Sequence, residues 1–196
     1  MRNLTFFVAA VAIIMLNGCA NSSKLVRASS SSTRSDIFKQ VPNGDVVPSG
    51  YADLLISSSL KTHKPGMFSS NDLHGTSDYK LMVNIDGQSI QLQTTPHMED
   101  FGSNSLRDTE VGEGARYRFI TKLRLRSGAH KVVLALPAED LALERQITLT
   151  EGSSNSLILQ PVYRQSPGKI RPGYYGVTSY KEGIKGIRLL LNDKPL

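Results

Sequence analysis

The most distinctive chemical pattern in the chain is a ladder of cations between residues 116 and 126. In a strand, alternate residues share one face, and here that face carries five cations and the apolar Ile120. The cations are Arg116, Arg118, Lys122, Arg124 and Arg126. Successive members lie about 7 Å apart, because a strand rises about 3.4 Å per residue. The pattern therefore predicts one of two things: a surface for phosphates or acidic polysaccharides, or a solvated sheet face neutralised by acidic residues of the 94–114 loop.

The charge of the whole chain is moderately basic, with a net value of +6. Such a balance suits contact with anionic lipid headgroups, phosphates or acidic polymers, and it is also common on ordinary domains. Aromatic residues are not interleaved with the cations of the 116–126 ladder, whereas bases of single-stranded nucleic acid need aromatic stacking partners. We therefore expect an envelope glycolipid or polymer as the anionic ligand, and no nucleic acid.

The chain has four histidines that could ligate a metal: His63, His74, His97 and His130. No two of them have the i, i+2 or i+4 spacing of adjacent ligands, and a second cysteine is lacking. The sequence therefore predicts neither a metal site nor a cofactor, although a site assembled from distant loops stays open. His130 follows the turn Ser127-Gly128 and is expected to begin a strand.

The sequence contains only weak signals for a catalytic site. A Gly-x-Ser-x-Gly motif is missing, and serine is too abundant for a Ser–His–Asp set to be more than coincidence. Glu99, Asp100 and Glu110 could mimic a carboxylate pair, but they fall in a surface loop with glycine neighbours. The segment 112–114 (Gly-Glu-Gly) has no strand-to-helix context of the kind that a phosphate loop requires. We expect a protein that is not an enzyme.

The lone cysteine, Cys19, has a different explanation. It follows Arg2, an apolar run over residues 4–16 and the small residue Gly18, which is the three-part plan of an export signal. The segment Leu16-Asn17-Gly18-Cys19 resembles the lipobox of bacterial lipoproteins. The resemblance implies cleavage after Gly18 and attachment of acyl chains, palmitate among them, to Cys19. Three acyl chains exceed what stable membrane anchoring needs.

Two other interpretations of the N-terminus stay open: an ordinary signal peptide with an incidental cysteine, and an uncleaved anchor. The apolar run is shorter than the roughly 20 residues of a comfortable bilayer span. In Gram-negative lipoproteins an Asp after the lipidated Cys tends to retain the protein in the inner membrane. Residue 20 is Ala, so the resemblance implies the outer membrane.

Three segments follow from composition. Residues 1–18 are the signal peptide. Residues 19–37 are the lipidated cysteine and a Ser-rich tether, expected to be flexible because it has few large apolar residues to bury. Residues 50–196 form the folded domain.

The folded domain shows the period-2 alternation of strands and little helical periodicity, apart from a possible turn at 138–143. Residues 79–85 alternate in this way and lead into Asp86-Gly87, a strong hairpin signal. The expected strands are 52–60, 79–85, 89–93, 116–126, 130–136, 144–150, 156–163 and 186–192. The pattern predicts an all-β protein, an antiparallel β-sandwich of immunoglobulin or prealbumin type with seven to eight strands.

Several of these strands and turns resemble PEGA-type surface-layer modules. The similarity is carried by 83–87 (Val-Asn-Ile-Asp-Gly), by the Gly-x-His turn at 128–130 and by the strand pair at 147–159, and it covers residues 79–163. The chain departs from the family in its insertion 94–114 and in lacking Pro-Glu-Gly-Ala. The resemblance implies a small β-sandwich used for envelope attachment and not for catalysis.

Two functions are consistent with these features. The first is a non-enzymatic, membrane-anchored envelope lipoprotein whose β-sandwich has a structural role or binds another envelope protein. The second is an accessory factor that captures an acidic glycan, lipopolysaccharide or peptidoglycan on the 116–126 strand. The sequence leaves the oligomeric state open.

Overall fold

The computed structural model describes residues 22–42, 44–65, 71–100, 110, 112–165 and 179–196. This part of the chain contains one α-helix and eleven strands in two sheets, which confirms the expected predominance of β structure. The elements are α1 (Ser22–Ser30), β1 (Phe38–Gln40), β2 (Tyr51–Thr62), β3 (Leu81–Ile85), β4 (Gln88–Leu92), β5 (His97–Glu99), β6 (Gly114–Arg126), β7 (Gly128–Leu136), β8 (Leu141–Leu149), β9 (Ser154–Tyr163), β10 (Ile184–Leu191) and β11 (Lys194–Pro195).

The larger sheet has seven strands, and the long strands β2 and β6 pair along their whole length. On the other side of β6 lie β1 and β5, and beyond β2 follow β9, β10 and β11. The expectation of a purely antiparallel fold is wrong at one place, since β2 and β9 are parallel. Parallel neighbours need a long connection between them, and the whole second sheet lies within that connection.

The smaller sheet has the order β4-β3-β7-β8 and is antiparallel throughout. The predicted two-residue hairpin is confirmed between β3 and β4, where Ile85 pairs with Gln88. Asp86 and Gly87 both have positive φ, 49° and 93°. This matches the turn type whose twist suits adjoining antiparallel strands.

The hydrophobic core takes side chains from both sheets. Leu54, Leu123 and Leu159 of the larger sheet and Val83 and Leu134 of the smaller one belong to the same buried cluster. Along β6 the apolar alternate residues face this core, and the cations therefore point to the opposite side. Burial of one face thus fixes where the cation ladder lies.

The predicted strands correspond to β2, β3, β4, β6, β7, β8, β9 and β10, each of five residues or more. The short strands β1, β5 and β11 were not predicted, because two or three residues are too few to show alternation. The expected turn at 138–143 is a 3₁₀-helix at Pro137–Glu139, and β8 begins directly after it at Leu141.

The described part of the segment 19–37, for which the sequence predicts a flexible tether, contains a helix that was not expected. Helix α1 packs on the smaller sheet, and Ser29 is buried. The Asn84 side chain donates to the carbonyls of Ala28 (3.3 Å) and Ser31 (3.1 Å). Small serine side chains allow close approach, and Leu25 and Val26 are half-buried, so composition understated the surface available for docking. Among the described residues no helix has the length and apolarity to cross a membrane.

Candidate binding face and histidine cluster

The five cations of the predicted anion-binding ladder all point outward from β6, and we call this surface the basic face. They are Arg116, Arg118, Lys122, Arg124 and Arg126. The structure divides them into an upper end around Arg116, a lower end around Lys122 and Arg124, and two cations at the surface. The three groups have different partners and therefore different chemistry.

At the upper end, acidic side chains neutralise the cation. The guanidinium of Arg116 donates to Glu99 through Nε and, at 3.2 Å, through Nη2. Its Nη1 also donates to Glu110 at 2.5 Å. Strand β5 positions Glu99 by pairing with the start of β6. Glu99 and Glu110, considered above as a catalytic pair, therefore both bind a cation, and the Arg116 guanidinium lowers the pKa of Glu99 to about 2.

Lys61 joins this network from β2, directly opposite Arg116. Its side chain is only 2% exposed, and its Nζ donates to Glu99 Oε2 at 2.7 Å and to the Glu110 carbonyl at 3.0 Å. The ring of Tyr180 lies 4.9 Å from the Nζ. The Tyr163 hydroxyl accepts from the Lys61 N–H at 2.9 Å and donates to Glu110 at 2.6 Å. The Lys61 Nζ also donates to the Gly112 carbonyl, so each proton of the buried ammonium group has an acceptor.

At the lower end, a single buried carboxylate holds two cations. Asp53 is 1% exposed and accepts from Arg124 Nε at 2.7 Å and Nη2 at 3.1 Å. The Nζ of Lys122 lies 2.8 Å from Asp53 Oδ2, the oxygen that also accepts from Arg124 Nη2. The hydrogen bond from Arg124 holds the pKa of the Asp53 carboxyl below its ordinary value. Sequence reasoning missed Asp53, although an acid between Ala52 and Leu54 in a strand is a signal for a cross-strand ion pair.

Arg118 and Arg126 are exposed, and neither makes a salt bridge within the described part of the chain. Arg126 and Arg124 border a cavity of about 370 Å³ between β1 and the end of β6. Lys39 and Tyr51 line it too, with Asp36 as an acidic neighbour. Asp36 itself pairs with Arg34 at 2.7 Å. The positive charge available to an external anion is therefore concentrated around Arg118 and this cavity.

The outer side of the larger sheet also carries a row of four residues, three of them apolar, across neighbouring strands. The register places Ile120, Ser57, Ile158 and Leu190 side by side. Ile120 is 68% exposed, while Ile158 and Leu190 are half-buried. Apolar patches on a surface mark contact sites, and Ile120 together with the half-buried Ile158 and Leu190 offers apolar side chains for such a contact.

His130 has a structural role in the turns at one end of the smaller sheet. Its Nδ1 lies 2.7 Å from Asp86 Oδ2, and its Nε2 lies 2.7 Å from the Arg126 carbonyl. Asp86 also accepts from the Lys131 N–H at 2.9 Å. The His130 side chain thus ties the β3–β4 hairpin to the β6–β7 turn.

Two other histidines come together between the end of β2 and the start of β3. His63 Nε2 lies 2.9 Å from Asp72 Oδ2, and His74 Nδ1 lies 2.5 Å from Asp72 Oδ1. The Nε2 of His74 lies 3.0 Å from Glu139, which also accepts from the Tyr79 hydroxyl at 3.1 Å. We call His63, Asp72, His74 and Glu139 the histidine cluster. The sequence did not predict it; the spacing Asp72-x-His74 was its only local signal.

Burial and charge act against each other in this cluster. Burial alone would raise the pKa of Asp72, but hydrogen bonds from His74 and His63 outweigh it and the pKa falls to about 2. Burial would lower the pKa of His74, yet the carboxylates of Glu139 and Asp72 raise it above its ordinary value. Both imidazole nitrogens of His74 therefore face acceptors.

Other predicted features lie outside the described residues. These are Cys19, the signal peptide 1–18, and most of the 94–114 insertion beyond residue 100. Glu110 and residues 112–114 are described, and Gly114 belongs to β6. A scan against protein-family models found no matching family, and searches of curated proteins and of solved structures found no match.

Proposed function

We propose that this protein is a non-enzymatic envelope lipoprotein, anchored by acyl chains on Cys19, whose β domain binds another envelope component. The export signal and the lipobox resemblance support the anchor, and Ala20 supports the outer membrane. The two sheets around one core support a sandwich of immunoglobulin or prealbumin type. The contact between Asp86 and His130, two residues of the PEGA-like turns, supports a module of that kind.

The docked helix α1 changes how such an anchor would present the domain. Only residues 20 and 21 separate Cys19 from Ser22, a span of at most about 11 Å from Cα to Cα. Ser23 contacts Asp140 at 3.3 Å, next to the 3₁₀-helix at Pro137–Glu139. A lipid on Cys19 would therefore hold the domain close to the bilayer in a restricted orientation. A flexible tether would instead let the domain rotate freely.

The observation that carries partner binding is the 68% exposure of Ile120, at the β6 end of the row that also contains Ile158 and Leu190. A photo-reactive residue replacing Ile120 in living cells should cross-link to one discrete envelope component. The same residue replacing Arg145, which is exposed on β8 of the smaller sheet, is the matched control. Equal cross-linking from both positions, or none from Ile120, would contradict a partner on this face.

The alternative is capture of an acidic glycan, lipopolysaccharide or peptidoglycan on the basic face. Arg126 and Lys39 favour it, since they carry positive charge at the 370 Å³ cavity, and Arg118 is an exposed cation farther along β6. The pairing of Arg116, Lys122 and Arg124 with carboxylates weighs against it, because those cations already have partners. We therefore place it second.

Binding of the full chain to lipopolysaccharide at several salt concentrations tests this alternative. The double variant Arg118→Glu/Arg126→Glu should abolish salt-dependent binding. The variant Lys24→Glu/Arg145→Glu makes the same change in net charge at exposed positions on α1 and β8. If both variants lose affinity equally, attraction is non-specific and the basic face is not a site.

A further inference from the structure

The histidine cluster brings together three classical metal ligands from separate parts of the chain. His63 comes directly after β2, and Asp72 and His74 come from the turn before β3. One ligand atom from each of the three residues can be chosen so that all lie within 4.8 Å of one another. In a tetrahedral zinc site with bonds of 2.0–2.2 Å, ligand atoms lie about 3.4 Å apart. Small side-chain movements would therefore suffice to place an ion between them.

From this geometry we propose that His63, Asp72 and His74 bind a divalent transition-metal ion, with Zn²⁺ as the best match. Two imidazoles and one carboxylate are mixed nitrogen and oxygen donors, a set that zinc binds well and that calcium and magnesium do not favour. Three protein ligands leave the fourth position for water. The side chain of His63 is 38% exposed, which gives an ion a route from solvent.

Glu139 has the geometry of an outer-shell partner. It lies 3.0 Å from His74 Nε2, the ring nitrogen that faces away from Asp72. A carboxylate behind a zinc-binding histidine commonly accepts the N–H of the ring nitrogen that does not bind the metal. If Glu139 holds the proton on Nε2 in this way, the Nδ1 lone pair is directed at the ion. Glu139 is itself fixed by the Tyr79 hydroxyl and by the Ile184 N–H at 3.3 Å. It is a positioning residue and does not contact the ion.

The surrounding structure holds the ligands in place. The Asp72 carboxylate accepts from the His74 N–H at 3.0 Å, which closes a tight local turn. The ring centroids of His63 and His74 lie 4.4 Å apart with the planes tilted by 35°, and the centroids of His74 and Tyr79 lie 5.4 Å apart. The Tyr117 hydroxyl stabilises the turn by donating to the Thr76 carbonyl at 2.7 Å. The site is therefore built on the core.

The alternative role of the cluster is an ion-pair network without a metal. The two roles differ in one measurable property, the stoichiometric binding of Zn²⁺ by the purified full chain. Competition with a chromophoric chelator should show one tightly bound Zn²⁺ per chain. Co²⁺ substituted for zinc should give the intense visible absorption of a tetrahedral site.

Three variants test the assignment. His63→Ala removes the most exposed ligand and should weaken zinc binding by more than about 100-fold, while Glu139→Gln should weaken it about 10- to 100-fold. His97→Ala, an exposed histidine on β5, should leave binding unchanged. Circular dichroism verifies that each variant is folded. A wild-type chain without stoichiometric zinc, or a His63→Ala chain that binds as well as His97→Ala, would overturn the proposal.

Discussion

Asp53 and Arg124 are paired across neighbouring strands, and both guanidinium donors reach the one carboxylate, at 2.7 and 3.1 Å. The same carboxylate holds Lys122, so two of the five cations of the basic face share one buried acid. A row of like charges along a strand is self-repulsive unless such acids intervene. The ladder that the sequence displays is therefore in large part a set of ion pairs within the sheet.

Replacing this acid should destabilise the fold. Asp53→Asn leaves Lys122 and Arg124 without their carboxylate, and we expect a loss of about 2 kcal/mol in the free energy of unfolding. Asp193→Asn, at an exposed site, is the control and should cost less than about 0.5 kcal/mol. Urea denaturation measures both. Equal midpoints for the two variants would show that the pairing contributes nothing.

The ion pairs of Glu99 with Arg116 and Lys61 should make the free energy of unfolding depend on pH. The pKa of Glu99 is about 2 in the folded protein, below its ordinary value of 4.5, because Arg116 binds the charged form. A depressed pKa stabilises the fold above pH 4.5, and this contribution disappears as the pH falls towards 2. The difference in unfolding free energy between wild type and Glu99→Gln should follow this course. A difference that stays constant from pH 7 to about 2 would contradict the ion pairing.

Replacing Gly75 should lower the stability of the fold, because this residue, next to His74, packs closely against Pro65, two residues after His63. It has φ +73°, and a Cβ there would lie 2.3 Å from Cδ of Pro65. Gly75→Ala should cost clearly more than the roughly 1 kcal/mol of backbone strain alone. Gly152→Ala has the same strain (φ +70°) but meets nothing within 4 Å. Thermal denaturation of the pair separates strain from collision, and similar melting temperatures would argue against the close approach.

The docking of α1 can be tested through Asn84, whose amide donates to the carbonyls of Ala28 and Ser31. Asn84→Ala should speed amide hydrogen exchange in residues 22–34 while most of β3 and β7 stays protected. Gln93→Ala, at the edge of the same sheet, is the control and should leave exchange unchanged. Rapid amide exchange of residues 22–34 in the wild type would contradict the docking of α1 and support a flexible tether.

The longer strands of this fold could be predicted because one face of each is buried, so apolar and polar residues alternate along the sequence. Tyr117, Leu123 and Leu125 of β6 show it clearly. The parallel pairing of β2 with β9 could not be predicted, since no local turn joins them. Helix α1 was missed because its small residues look hydrophilic in composition while they permit close packing against β3.

The sites divide in the same way. The cation ladder lies within one strand and was visible in the sequence, but its partner Asp53 lies 71 residues from Arg124. The histidine cluster joins His63, Asp72 and His74 of the β2–β3 connection to Glu139 of the β7–β8 connection. Spacing rules detect ligands on one element and fail for ligands that only the packing of two sheets brings together.

The proposed lipid anchor at Cys19 can be tested by palmitate labelling combined with membrane fractionation. In cells labelled with radioactive palmitate, the wild-type chain should carry label and sediment with the outer membrane, as should a control variant Asn21→Ala. Cys19→Ser should lose the label and leave the membrane fraction. A Cys19→Ser chain that stays in the membrane with its label would contradict lipidation at this residue.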